Sequence, residues 1–253
     1  MKELKAEMVK IKNSNSLHIS ILFPLSLIIY TIFSRAATRN TNGLINGHSI
    51  IQISIFNIWT LLLIPLLIIL IISSDFKNEN KNNNFQYAVA NGWKLNNIYI
   101  AKSFKYTMLT LLSYITLFAV IIVSNKITTN DFGNIKLIIS TIMYIWFCSL
   151  SLIPINMLLI KKIKTTFSYI LNVLIIIFFV YNSMANTKFS LFFPWMYGLN
   201  IERLALNIKA NGLIGIKLPI SMVSNQLEIM LGMTLIYIAV EIIIMKVLIK
   251  WKE

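Results

Sequence analysis

Cysteine occurs once in the 253 residues, proline five times, glycine eight times, and only nine side chains are acidic. The single thiol, Cys148, excludes an intrachain disulfide, and inside an apolar run it packs as a small hydrophobe. No GxxxxGK[ST] phosphate loop is present, so the chain does not itself bind ATP in the P-loop manner. His18 and His48 stand apart, without HExxH or an acidic pair to build a metal site. The Glu-Glu pairs and membrane-facing His motifs of intramembrane proteases are missing as well. The chain therefore reads as no enzyme, with no catalytic residue, no metal ligand set and no cofactor of its own.

What the chain has is apolar surface. Hydrophobic residues make up 57% and charged residues 13%, with a mean hydropathy of +0.74, whereas about a quarter of a soluble domain is charged. This composition describes an integral membrane protein. The apolar residues fall into runs near the ~20 residues that cross a ~30 Å bilayer core. The expected spans are about 17–34, 50–73, 104–124, 137–160, 167–185 and 229–249. β-Branched residues dominate them, but a lone strand in lipid leaves its backbone unpaired, so the spans are expected as helices.

Lysine and arginine set the expected orientation. Fifteen of the 23 fall on the side of the N-terminal tail, the 74–105 segment, the 161–164 loop and the C-terminus, and eight on the other side. Both termini are therefore expected in the cytoplasm. In a soluble protein a net charge of +14 would suggest nucleic acid. Here the positive-inside bias and anionic headgroups account for it, and no nucleic-acid partner is expected. The first run follows sixteen mostly polar residues and lacks a small-residue cleavage pattern, so it is expected to stay as the first anchor. Ahead of it, MKELKAEMVKIK sets Leu4, Met8 and Ile11 on one face, as in an interfacial helix over 1–16 lying on membrane lipid.

Charge inside the expected spans is nearly absent. Glu241, in IAVEIIIMKVLIKWK, is the exception. Unpaired at mid-membrane it costs about 2.5–3.5 kcal/mol, so it is expected to be protonated, paired or protein-facing. It reads either as a partner-facing or snorkelling residue near Lys246 or as a contact to substrate.

Residues 75–103 read DFKNENKNNNFQYAVANGWKLNNIYIAKS. Asp75 with Asn78 or Glu79 is suited to cap a helix, Phe85, Ala88 and Val89 follow at i, i+3 and i+4, and Asn91-Gly92 supplies a stop. A short amphipathic helix at the inner face is expected, after which Trp93, Leu95, Ile98 and Tyr99 meet the interface and Lys102 leads into the third span. This segment resembles the ABC-2 type permeases, whose cytoplasmic link between the second and third helices carries an acidic residue, a helical stretch, a turn and a Lys near the next span. Glu79, the helix through Ala90, the Asn91-Gly92 turn and Lys102 occupy those places. Many members have a Pro-containing turn where this chain has Asn91-Gly92-Trp93-Lys94.

The loop before the last span begins FFPWMYGLNIERLALNIKANG. Its Pro194-Trp195 and Asn211-Gly212 resemble the Pro-Trp segment and following Asn-Gly of lantibiotic-immunity ABC permeases of the epidermin and mutacin type. Phe192, Phe193, Trp195 and Tyr197 form an aromatic group of the kind found at a membrane boundary, and Ile201, Leu204, Ala205 and Ile208 follow helical spacing. The loop reads as an interface anchor or as a short helix that dips back and touches a departing peptide.

The resemblance implies one all-α ABC-2 transmembrane domain over 1–253, with six transmembrane helices, an N-terminal interfacial helix, a cytoplasmic coupling helix between helices 2 and 3, and an extracellular loop at 186–228. It implies a bacterial cell membrane permease subunit that expels an amphipathic, membrane-active antimicrobial peptide and so gives immunity. It also implies partners: a separate cytoplasmic ABC ATPase in two copies, which holds ATP and Mg, and a second permease subunit or another copy of this chain. Glu79, Phe85, Ala88, Val89, Gly92, Trp93 and Lys94 would form the ATPase-coupling segment. Pro194, Trp195, Tyr197, Asn211 and Gly212 would meet the peptide or line its exit. An ABC-2 exporter of another cargo and a non-transport membrane scaffold are the alternatives.

Overall fold

Ten α-helices, one short hairpin, a π turn and two 3₁₀ turns (Lys10–Asn13 and Lys188–Phe192) make up most of the described residues of the computed structural model, which are 2–37, 44–45, 47–81, 88, 90–163, 165–181, 188–208 and 220–250. The helices are α1 (Lys2–Val9), α2 (Asn15–Ala37), α3 (Ile50–Ile58), α4 (Ile64–Lys81), α5 (Leu95–Thr129), α6 (Ile135–Ser149), α7 (Leu152–Ile163), α8 (Thr165–Tyr181), α9 (Pro194–Leu206) and α10 (Ile220–Lys250). β1 (Leu44–Ile45) and β2 (His48–Ser49) pair antiparallel across Gly47, whose φ of +80° favours glycine. Five stretches are long and apolar enough to cross a membrane: Asn15–Ala36, Ile50–Glu79, Leu95–Thr129, Ile135–Ile163 and Met222–Val240. The apolar part of α8, Thr165–Phe178, is shorter. The protein is an all-α membrane protein.

Local chemistry explains where the helices start and break. Ser49 caps α3 by accepting the Gln52 amide at 3.0 Å. Between α3 and α4 lies one turn of π-helix, Trp59–Leu63, an insertion that often marks function. α6 and α7 together fill the fourth expected span, with a break at Leu150–Ser151. Pro154 lies in the first turn of α7, where its missing N–H is tolerated, and the Ser151 hydroxyl donates to the Cys148 carbonyl at the break. The core is built around Phe56, Trp59, Leu67, Tyr106 and Tyr114, with the Trp59 and Tyr114 rings edge-on at 5.7 Å. Outward faces carry Ile29, Phe33, Leu174 and Ile177, which suits contact with acyl chains.

Two boundaries differ from the sequence expectation. The second span does not stop near 73: α4 runs on to Lys81, so Asp75 and Glu79 are interior helical residues and not caps. The third helix starts at Leu95, nine residues before the expected span, and buries Ile98 and Tyr99 in the bundle instead of laying them on the interface. Both helices extend because their charged residues find partners in one another.

Candidate coupling site

The last two turns of α4 and the first turns of α5 close around a knot of ionised side chains. Asp75 and Glu79 are four residues apart and so share a face of α4; Lys102 and Lys105, three apart, share a face of α5. The Lys102 ammonium donates to Glu79 Oε1 at 2.6 Å, Glu7 Oε2 at 3.3 Å and Asp75 Oδ2 at 3.4 Å. The Lys105 ammonium donates to Asp75 Oδ1 at 2.7 Å and Glu7 Oε2 at 3.3 Å, and the Tyr106 hydroxyl donates to Asp75 Oδ2 at 2.9 Å. From α1 and the 3₁₀ turn behind it, Lys10 donates to Glu7 Oε1 at 2.6 Å and Glu79 Oε1 at 3.0 Å. Lys102 and Lys105 are fully buried, and Glu7, Asp75 and Glu79 nearly so. Three carboxylates thus face three ammoniums: the carboxylates, Lys102 and Lys105 are shut off from water, while Lys10 closes the knot from its exposed side, and removal of Lys102 or Lys105 leaves an uncompensated buried charge.

The knot also decides how α1 docks. Leu4 is exposed and Met8 and Ile11 are half-buried, while Glu7 is buried, so the charged residue leads α1 onto α5. Burial pushes the Glu7 carboxyl up, but Lys102, Lys10 and Lys105 together outweigh it and hold Glu7 below its ordinary range. Burial likewise pulls Lys10 down, and Glu7 and Glu79 outweigh it to hold Lys10 above its ordinary range. Glu7 therefore contributes stability above its unfolded value of 4.5 that is lost as the pH falls through the lowered folded value. Lys10 contributes stability below 10.5 that is lost as the pH rises through the raised folded value. A spin label on Leu4→Cys, in a Cys148→Ser background, is expected to be immobile at neutral pH and to gain mobility as the pH is lowered below 4.5. Unchanged spectra through complete acidification would detach Glu7 from the docking of α1.

Oxygens of Glu7, Asp75 and Glu79 lie within 4.8 Å of one another, a spacing compatible with a metal ion. The ammoniums of Lys10, Lys102 and Lys105 already occupy that centre at hydrogen-bonding distances, so the donor set suits lysine and not a metal.

The stretch that connects α4 to α5 is described at its second end. The Trp93 amide donates to the Ala88 carbonyl at 3.1 Å, and Gly92 has φ +76°. Together these form the Schellman stop of a helical turn, as Asn91-Gly92 predicts. Ala88 and Trp93 are half-buried, and Gly92 and Lys94 are exposed. Phe85 and Val89 lie outside the described residues.

At the other end of the bundle, α9 folds back beside the second span. It starts with Pro194 at its first position and stops at Asn207, in left-handed conformation with φ +53°. Gly198 lets it approach closely: a Cβ there would lie 3.1 Å from Thr60 Cβ and 3.5 Å from Ile145 Cγ2. Thr60 Oγ1 lies 2.9 Å from Glu202 Oε2. Thr60 is ten residues into the Ile50–Glu79 span, about 15 Å along it at 1.5 Å per residue, so α9 reaches deep between the helices. Trp195 points inward: its Nε1 donates to Asn172 Oδ1 at 2.8 Å, and Asn172 Nδ2 donates to Asn156 Oδ1 at 2.7 Å. Pro194 and Tyr197 are buried, while Phe192 and Phe193 remain exposed. The aromatic group of the sequence reading therefore splits, with Tyr197 in the core and the two phenylalanines at the surface. Asn211 and Gly212 lie outside the described residues, as does the side chain of Glu241 on α10.

A cavity of about 140 Å³ opens between α5, α7 and α10, lined by Tyr99, Ser103, Thr107, Ile153, Pro154 and Ile238 among others. Lys161 stands over the Tyr99 ring at 4.5 Å.

A multi-pass bundle of apolar helices, with two spans and an N-terminal helix clamped at one end by buried ions, is the framework of a membrane transport subunit. Residues 3–183 match the model of a family described as ABC-2 family transporter protein. The chain belongs to that family and is a permease subunit of an ABC exporter. No curated protein and no solved structure matches it. The matched stretch contains α1 through α8 with the complete ion knot; α9 and α10 lie beyond it.

Sequence reasoning placed Glu79 and Lys102 in one functional stretch, and the structure brings them together at 2.6 Å. It missed Glu7, Lys10, Lys105 and Tyr106 as their partners, although Asp75/Glu79 and Lys102/Lys105 carry helical spacing. It also passed over Thr60, Gly198 and Glu202, for which no local signal exists.

Proposed function

We propose that this chain is the permease subunit of an ABC exporter that removes a membrane-active, lantibiotic-like antimicrobial peptide from the cell membrane and so confers immunity. A separate ATPase in two copies binds ATP and Mg below a permease pair, formed with a second subunit or a second copy of this chain. Six helices cross the membrane, with α8 the fifth, and both termini are cytoplasmic. Residues 1–253 act as one transmembrane domain, with 75–103 its cytoplasmic coupling segment and 186–228 its extracellular loop.

The observation that carries the coupling role is the ion knot. It ties the last turns of α4, the first turns of α5 and α1 into one body, on either side of the chain between Lys81 and Lys94. Closing of the ATPases against that connection would move two spans and the N-terminal helix together. A loosely attached loop would absorb the same push by bending. Glu79 works here as a buried strut, while Gly92, Trp93 and Lys94 are the accessible contact to the ATPase. The cavity between α5, α7 and α10, apolar with the Ser103 and Thr107 hydroxyls, suits side chains of an amphipathic peptide. The peptide cargo itself is supported by the Pro194-Trp195 and Asn211-Gly212 resemblance.

The test is Gly92→Pro, since proline cannot adopt a φ of +76°. Membrane insertion and amount should hold while resistance to the peptide falls at least about tenfold and co-purified ATPase activity no longer responds to peptide. Resistance unchanged at equal expression sinks the coupling role of this turn. Resistance lost equally for detergents and unrelated drugs points to an exporter of another cargo. In parallel, Trp195→Ala should lower resistance more than a neutral substitution in the same loop. Equal values would remove Trp195 from the exit path.

A further inference from the structure

Glu202 is fully buried, in the half of the bundle remote from the ion knot. Among the described residues no lysine meets it, in contrast to every buried carboxylate of the knot, and its Oε1 has no hydrogen-bond partner there. Its Oε2 lies 2.9 Å from Thr60 Oγ1, which in turn lies 3.4 Å from the Asn57 carbonyl. A threonine hydroxyl has one proton to give. If the carboxyl is ionised, Thr60 serves either Glu202 or Asn57. If the carboxyl carries a proton, Glu202 donates to Thr60 at 2.9 Å, and the Thr60 proton goes to the longer, weaker contact with Asn57. Thr60 belongs to the π turn, whose altered backbone pairing aims the hydroxyl at α9.

We propose that Glu202 is a proton-binding site, and that its bound proton lets α9 seat against the π turn of the second span. When α9 lifts, the carboxyl meets water and releases the proton; when α9 reseats, a proton is taken up. The inference rests on the packing of α9 and holds for any cargo.

Among the described residues, the surroundings leave little else to stabilise an ionised carboxylate. Arg203, the next residue, is the charged group that acts on Glu202, and it does not offset the burial, which pushes the carboxyl well above its ordinary range. α3 and the π turn carry no titratable residue. α6 brings buried Cys148, with Lys136 and Tyr144 exposed; α10 brings Tyr237, with Glu228 exposed. Tyr169 of α8 is engaged by Ser73. In the 3₁₀ turn Lys188–Phe192, Ser190 is bonded to Asn200.

Dicyclohexylcarbodiimide is the probe, applied to the full chain in lipid nanodiscs. The proton and oxygen of a carboxylic acid add across one C=N bond of the reagent, and the adduct rearranges to a stable N-acylurea with no leaving group. Peptide mass spectrometry is expected to find Glu202 modified at neutral pH at least about tenfold faster than Glu7, Asp75 and Glu79. A second readout is maleimide labelling of Cys148, three residues along α6 from Ile145, which touches the Gly198 position. A carboxyl whose folded pKa is raised stabilises the seated state fully below its unfolded value of 4.5 and loses that contribution as pH rises toward the folded value. The labelling rate of wild type relative to Glu202→Gln should therefore rise with pH, since the ratio cancels ionisation of the thiol. Modification of Glu202 no faster than the three lysine-paired carboxyls, with a ratio that stays flat from pH 6 to pH 9, overturns the proposal.

Discussion

Lys102→Met is expected to unfold the cytoplasmic end of the protein far more readily than wild type, with a loss of about 3–5 kcal/mol. Methionine fills nearly the same volume and removes only the ammonium that Glu79, Glu7 and Asp75 share at 2.6, 3.3 and 3.4 Å. Two cations then remain for three buried carboxylates. The diagnostic is the double variant Lys102→Met/Glu79→Gln, which restores neutrality and should recover most of the loss. Thermal unfolding of the detergent-purified protein by tryptophan fluorescence reads both. If the single variant melts with wild type, the knot contributes nothing; if the double variant is as weak as the single, the loss comes from packing and not from charge.

The second large effect is expected at Gly198. A β-carbon there already comes within 3.1 Å of Thr60 Cβ, and valine adds two methyl groups beyond it. Overpacking costs about 1–3 kcal/mol, more than the few tenths gained by replacing glycine in a helix. Gly198→Val should lower the melting temperature by about 5 °C, at 2–4 °C per kcal/mol for a chain of this size, and raise maleimide labelling of Cys148 severalfold as α9 lifts. Labelling that stays at the wild-type rate would mean that α9 tolerates the bulk without leaving Thr60.

These two sites were visible in the sequence to different degrees. Glu79 and Lys102 attract notice because ionised groups next to apolar runs demand an explanation, and the turn at Asn91-Gly92 is local chemistry that glycine alone reveals. Asp75 looks like a cap when α4 is assumed to end at the membrane surface. It is interior because Lys105 and Tyr106 satisfy it across the helix pair. Glu202 sits in a 13-residue helix too short to span a bilayer, and its sequence neighbours give no sign that Thr60, 142 positions earlier, closes over it.

Composition and hydropathy by themselves determined that this chain lives in a membrane as helices, since apolar runs of that length leave no other way to satisfy the backbone in lipid. Spacing along the chain determined which charges share a helical face. Only the tertiary structure decided which faces meet: that three carboxylates from α1 and α4 find three ammoniums from α5 and the N-terminal segment, and that α9 enters the bundle at a glycine. A sequence records each charge and each small residue locally. Whether a buried charge is compensated, or a glycine is a point of contact, depends on groups brought together from distant parts of the chain.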